Sequence, residues 1–125
     1  MKAVLPMLLA VLTASMLLWG CGSSPVVPIR REIVAGDRQK DWALVYYQSW
    51  RRAKDDLYLR LARRQIVQAV NTYFQLQVKM GHSYPDFYIV DRKRREGCRF
   101  LDQMEKEASR FRVQLEETDQ SGCLR

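Results

Sequence analysis

Between Asp37 and Met80 the chain runs for 44 residues with neither proline nor glycine, and its apolar positions recur in steps of three and four. Trp42, Tyr46, Ser49 or Trp50, Ala53, Leu57, Leu61, Gln65 or Ile66, Ala69, Tyr73, Leu76 and Met80 form the stripe. That spacing predicts an amphipathic helix. Asp37 and Asp41 suit its first turn, where side-chain oxygens and negative charge satisfy free backbone N–H groups, and Gly81 suits its end as a left-handed cap. A helix longer than about 25 residues is unusual without a partner. Lys54-Asp55-Asp56 offers a break, since either aspartate could cap a second helix, and both versions stay open.

Gly81-His82-Ser83-Tyr84-Pro85-Asp86 carries a helix stop, a proline and a cap, so it reads as the turn. A second helix is expected from Asp86 or Asp91 to about Glu117. Val90, Arg94, Gly97 or Cys98, Leu101, Met104, Ala108, Phe111 and Leu115 lie along it in near-heptad order. Gly97 costs roughly 1 kcal/mol of helix propensity against alanine, which makes a close helix crossing beside Cys98 a reason for its presence. Phe87-Tyr88-Ile89-Val90 could alternatively be extended. The expected fold is therefore all-α: an antiparallel helical hairpin or small bundle of two long helices, the first open to a break near residue 54. Folding the helices back about Ser83 gives facing positions that sum to roughly 166, because both rise about 1.5 Å per residue from the turn. Arg60, Arg63 and Arg64 then lie near Asp102 and Glu105, and Asp55 and Asp56 near Arg110 and Arg112.

The N-terminal segment is of another kind. Lys2 precedes an uncharged run from Ala3 to Trp19 that ends in Leu18-Trp19-Gly20-Cys21, followed by Gly22-Ser23-Ser24. A charged start, a short apolar core and a small residue before a cut make a signal segment, to be excluded from fold reasoning. The four residues resemble the lipobox of bacterial lipoproteins, with Trp19 departing from the small residue usual there. The resemblance implies cleavage before Cys21 and a covalent lipid on Cys21. It also implies a cell-envelope address, with Gly22 in place of aspartate favouring the periplasmic face of the outer membrane. An uncleaved span is the alternative, at the lower edge of the roughly 17 to 25 residues needed to cross a bilayer. The expected domains are a signal peptide at 1–20, a flexible tether at 21–36 rich in glycine, serine and proline at its start, and a helical periplasmic domain at 37–125. Within the tether, Val26, Val27, Ile29, Ile33 and Val34 suggest packing against the helices or docking on a partner.

Export sets the reading of the remaining cysteines. With Cys21 committed to lipid, Cys98 and Cys123 are an even pair in an oxidising compartment, so a disulfide is expected, with free thiols or an interchain bond as alternatives. An unbroken helix to Glu117 would rise about 28 Å past Cys98, whereas six residues return only about 20 Å. A formed bond therefore requires the helix to stop by about Leu115 or to bend, and the tail to turn back. After removal of the signal segment, arginine outnumbers lysine fifteen to five and the net charge is +6. Such basicity suits an acidic protein partner or an anionic envelope surface, with nucleic acid unexpected outside the cytoplasm.

On the hairpin register Arg92, Lys93, Arg94, Arg95 and Arg99 face a level of the first helix with no acid, leaving Asp91 and Glu96 as partial compensation. Arg92, Arg95 and Arg99 share a face at spacings of three and four. Trp42, Tyr46 and either Ser49 or Trp50 are expected to face inward and Tyr47 outward; four large rings exceed what a hairpin can bury. Arg92, Arg95, Arg99, Tyr47 and Trp50 are thus the candidate partner-binding residues, arginine and aromatics being the usual material of binding hot spots. No catalytic constellation is legible. His82 is the lone histidine and no metal site is expected, nor any cofactor besides the lipid on Cys21. In size, helicity, address and disulfide the chain resembles the small helical lipoproteins that pilot secretins or accompany secretion and conjugation channels. The expectation is a non-enzymatic adaptor or assembly factor, with an envelope-binding structural lipoprotein and an inhibitor or immunity-type lipoprotein as alternatives. A homodimer completing the hairpin's seam is a further possibility.

Overall fold

The computed structural model describes residues 26–117 and 121–123. The expected signal segment at 1–20 and the expected lipidation position Cys21 lie outside the described residues. Three helices, α1 (Val26–Ala53), α2 (Asp56–Met80) and α3 (Phe87–Arg110), precede a 3-10 turn, η1 (Ser121–Cys123). The fold is an all-helical bundle, and among the described residues there is no strand. Phe87–Val90 is accordingly the first turn of α3 rather than an extended piece.

The expectation of two helices fails because the region read as tether is helical from Val26 onward. Pro28 is compatible with this. It falls in the first turn, where a backbone N–H has no intrahelical acceptor to lose. Ile29 and Ile33 pack against the core, so burial of these side chains extends the helix well upstream of Asp37. Asp37 and Asp41 are consequently mid-helix residues and cap nothing. The break near residue 54 is present: Lys54 takes a left-handed φ of 52°, and the Asp55 side chain accepts from the Leu57 N–H to cap α2. Asp55 serves this cap instead of facing Arg110 and Arg112.

Ladders of side-chain contacts fix how the helices run. Between α1 and α2, Glu32 meets Lys79, Asp37 meets Tyr73 and Gln39 meets Thr72, pairs whose numbers sum to 110 or 111. A constant sum means antiparallel helices. Between α2 and α3, Arg63 meets Glu105 and Gln77 meets Asp91, each summing to 168, within two residues of the register expected from the turn. Between α1 and α3, Lys40 meets Glu96, Asp37 meets Lys93 and Tyr47 meets Gln103, all at a constant separation of 56. Those two helices are therefore parallel, and the open seam of a hairpin is closed by the chain's own α1.

The core is drawn from one face of each helix. Ala43, Tyr47 and Trp50 come from α1, Leu59, Ala62, Ile66, Val70, Tyr73 and Leu76 from α2, and Val90, Leu101, Met104 and Ala108 from α3. Helix α2 packs on both neighbours, so apolar side chains cover a broad arc of it. Gly97 is buried where α3 crosses α2: a Cβ there would sit 2.7 Å from Val70 Cγ2. Gly122 of η1 faces the other methyl of the same valine in the same way: a Cβ there would sit 2.7 Å from Cγ1.

The end of α3 explains how the tail turns back. The Val113 N–H bonds to the Ala108 carbonyl and that of Arg112 to Ser109, while Arg112 has a φ of 56°. This is the two-bond cap that closes a helix through one left-handed residue, with Val113 buried as its apolar anchor. Helix α3 stops well before Leu115. Cys123 then lies beside Cys98, with a Cα–Cα distance of 5.6 Å, and the two form a disulfide.

Candidate interaction surface

Arginines of α3 divide into two sets by the side of the helix they occupy. Val90, Gly97, Leu101, Met104 and Ala108 mark the buried side. Arg92, Arg95 and Arg99 stand opposite and are exposed, the shared face expected from their spacing. Arg94 points the other way. Its Nε donates to Gln77 Oε1 at 2.7 Å, one Nη to the Gly122 carbonyl at 2.8 Å and the other to Asp91 Oδ1 at 3.0 Å. That guanidinium ties α3 to α2 and to the returning tail, using the planar fork that lysine lacks.

The acids beside the cluster serve the bundle as much as the cluster. Asp91 accepts from Gln77, Arg94 and Arg95. The Gln77 amide first, and then the two guanidinium groups, hold its carboxyl below the usual range. Glu96 is lowered by Lys40, which donates to it at 3.1 Å from α1. Lys93, expected to lack a counter-charge across the bundle, finds one on α1: both Asp37 oxygens accept from it at 2.8 Å. Asp37 also accepts from the Tyr73 hydroxyl. Burial first, and then this carboxylate, push the Tyr73 phenol up. One carboxylate of α1 thus joins α2 to α3, a contact the hairpin reading had no helix to supply.

Two of the expected contact residues belong to the interior. Tyr47 is 6% exposed and Trp50 1% exposed, which corrects the outward placement of Tyr47. The physical reason is phase. With α1 begun at Val26, its inward line runs through Gly36, Ala43, Tyr47 and Trp50, and Trp42 is turned out to 50% exposure. Tyr47 packs edge-on against Phe100 and accepts from Gln103; burial first, then Glu107, raises its phenol to about 12. Trp50 packs edge-on against Phe111, and Lys54 covers both rings. A third helix gives these rings the interior that two helices lack.

Near the disulfide, Arg94, Arg95, Cys98, Arg99, Asp102 and Glu105 line an open groove of about 620 Å³. Flanking it, Arg63 donates to the Glu116 carbonyl at 2.6 Å and to Glu105 at 3.2 Å, so the expected Arg63–Glu105 pairing is present. Arg60 and Arg64 instead reach Gln114 and Glu116 of the tail. At the turn, Tyr88 is 67% exposed, whereas Tyr84 and Phe87 are half-buried and Phe87 packs at a tilt against His82. Among the described residues no three His, Cys, Asp or Glu side chains converge as metal ligands. No described helix is long and apolar enough to cross a membrane.

Reading residues 26–36 as tether hid a further surface. Val34, Trp42, Leu44 and Val45 are exposed on α1, as are Arg30, Arg31 and Arg38. The three-four spacing of Ile29, Ile33 and Gly36 ahead of Ala43 was the available signal. No family model, curated protein or solved structure matches the chain.

Proposed function

We propose that this chain is a non-enzymatic envelope lipoprotein, held to a membrane by lipid on Cys21, that serves as an adaptor or assembly factor for a larger machine such as a secretion or conjugation apparatus. The observation that carries the reading is the outward row of Arg92, Arg95 and Arg99 on α3. Asp91 is shared among Gln77, Arg94 and the row's own Arg95, and Glu96 pairs with Lys40, so the three-arginine row keeps a net positive charge on the outer side of the helix. A preformed surface of this kind loses little conformational freedom on binding. An acidic protein surface is the matching partner. Tyr47 and Trp50 act from within, holding α1 against α3. The half-buried Tyr84 and Phe87 give less support to an inhibitor that inserts its turn into a cleft.

The test is cross-linking of the full-length protein in native membranes, beside a variant carrying Arg92→Glu, Arg95→Glu and Arg99→Glu. A discrete protein partner recovered with the native chain and lost with the variant is expected. Recovery unaffected by three charge reversals, with the variant still helical, overturns the assignment of this face.

A further inference from the structure

Helix α1 turns two of its three acids toward its neighbours. Glu32 pairs with Lys79 and Asp37 with Lys93. What remains on its outer side is strongly basic: Arg30, Arg31, Arg38, Arg51 and Arg52 are exposed, against Asp41 alone among the exposed acids of that helix. Arg31, Val34, Arg38, Trp42, Val45 and Arg52 follow one another at intervals of three, four, four, three and seven, so they lie along one line, opposite Gly36, Ala43, Tyr47 and Trp50. Near its start, Val34 and Ala35 lie among Arg30, Arg31 and Arg38 in a shallow groove of about 520 Å³. Trp42, stacked on Tyr46 with a ring separation of 5.8 Å, stands half-exposed in the middle.

We infer that this face of α1 lies flat on an anionic lipid surface. The composition is that of an interfacial helix, with cations for head groups and a tryptophan and valines for the acyl boundary. The geometry rests on the proposed anchor. Only four residues, 22–25, lie between Cys21 and the start of α1 at Val26, and the five Cα–Cα steps reach no more than about 18 Å, so the bundle is moored close to the bilayer. Moored there, α1 could stand upright or lie down. Upright, Trp42 would be held about 24 Å above the start of the helix and Arg52 about 39 Å. Both distances exceed the roughly 8 Å over which charges act at physiological salt. Lying down brings the arginines and Trp42 to the lipid together. The Arg92, Arg95 and Arg99 row, carried by another helix and turned away from the core, is left for a protein.

Fluorescence from Trp42 reads the orientation. Full-length protein is reconstituted in phosphatidylcholine–phosphatidylglycerol vesicles with and without brominated acyl chains, beside Trp42→Phe and Trp50→Phe variants. Bromine quenching is expected in the native chain and in Trp50→Phe, with a component missing from Trp42→Phe that disappears when phosphatidylglycerol is omitted. Each arginine near an anionic surface contributes about fivefold in binding. Replacing Arg30, Arg31 and Arg38 by glutamine therefore lowers the docked-to-undocked ratio by about two orders of magnitude. Unchanged quenching in Trp42→Phe, or a protein captured by a photo-cross-linker at Val45, overturns the inference. The mass of the Cys21 peptide separates it from the anchor: lipid present without Trp42 quenching sinks the flat orientation, while Trp42 quenching without lipid sinks the anchor and leaves the face.

Discussion

Gly97→Ala tests the helix crossing at the centre of the bundle. On an exposed helix this change is favourable by about 1 kcal/mol, since alanine loses less backbone freedom. Here the new methyl would sit 2.7 Å from Val70 Cγ2 and 3.6 Å from Ile66 Cδ1. Relief by rotating Val70 is blocked, because its other methyl already meets Gly122, and a β-branched side chain in a helix has essentially one rotamer. The helices must move apart. Overpacking of this kind costs about 1–3 kcal/mol, so the net expectation is a loss of about 1 kcal/mol. For a domain near 100 residues that is a fall in Tm of about 4–8 °C. The decisive comparison is made in a Val70→Ala background. Removing the obstructing methyls leaves only the propensity gain, and Gly97→Ala then stabilises by about 1 kcal/mol. The coupling of about 2 kcal/mol is within the range for residues in contact. Urea unfolding followed by helical circular dichroism on the four proteins gives the cycle. Additive effects, or stabilisation by Gly97→Ala with Val70 present, would refute the reasoning.

Reducing the Cys98–Cys123 bond, or replacing both cysteines by serine, is expected to cost about 3.5 kcal/mol, from the freedom returned to a loop with a 25-residue separation; the midpoint of urea unfolding should shift accordingly. Arg112→Gly is expected to stabilise by about 1 kcal/mol, since residue 112 holds a φ of 56° that costs a side-chain-bearing residue about 1–2 kcal/mol, and the same unfolding curve measures it. For pH, Asp91 has a folded value depressed from 3.8. Its contribution is complete above that value and is lost as pH falls through the lower folded value, so acid titration should destabilise the native protein below about pH 4. Asp91→Asn should weaken that dependence, and an identical acid profile would dismiss Asp91 as its source.

Periodicity made part of this molecule legible. All five buried positions of α3 were in the expected stripe, and the break at Lys54 and the cap at Asp55 could be read from chemistry local to a few residues. The α2–α3 register followed from equal rise on either side of a turn. The start of α1 was not legible, because Pro28 between short apolar residues suits a tether and the first turn of a helix equally well. The error propagated. Without eleven residues of helix the phase of α1 was misjudged, which placed Tyr47 outside and Trp42 inside and left Lys93 without Asp37. For the surface, spacing alone separated Arg92, Arg95 and Arg99 from the core, whereas the inward fork of Arg94 depends on Gln77 and Gly122, which come together only in three dimensions.

The latch around Gly122 bears on how the chain matures. Arg94 grips the Gly122 carbonyl, Asn71 Oδ1 accepts from the Gly122 N–H, and Val70 fills the space against its Cα. None of these contacts requires the sulfurs to be joined. Arg94 offers its contact from α3, and Asn71 and Val70 offer theirs from α2, so the full set needs the two helices aligned, and together they hold Cys123 at Cys98. The thiols are therefore expected to reach their highest effective concentration once the helices have docked. A chain that has assembled its bundle is then expected to oxidise faster than one in which α2 and α3 are held apart, a difference that thiol trapping during refolding would measure.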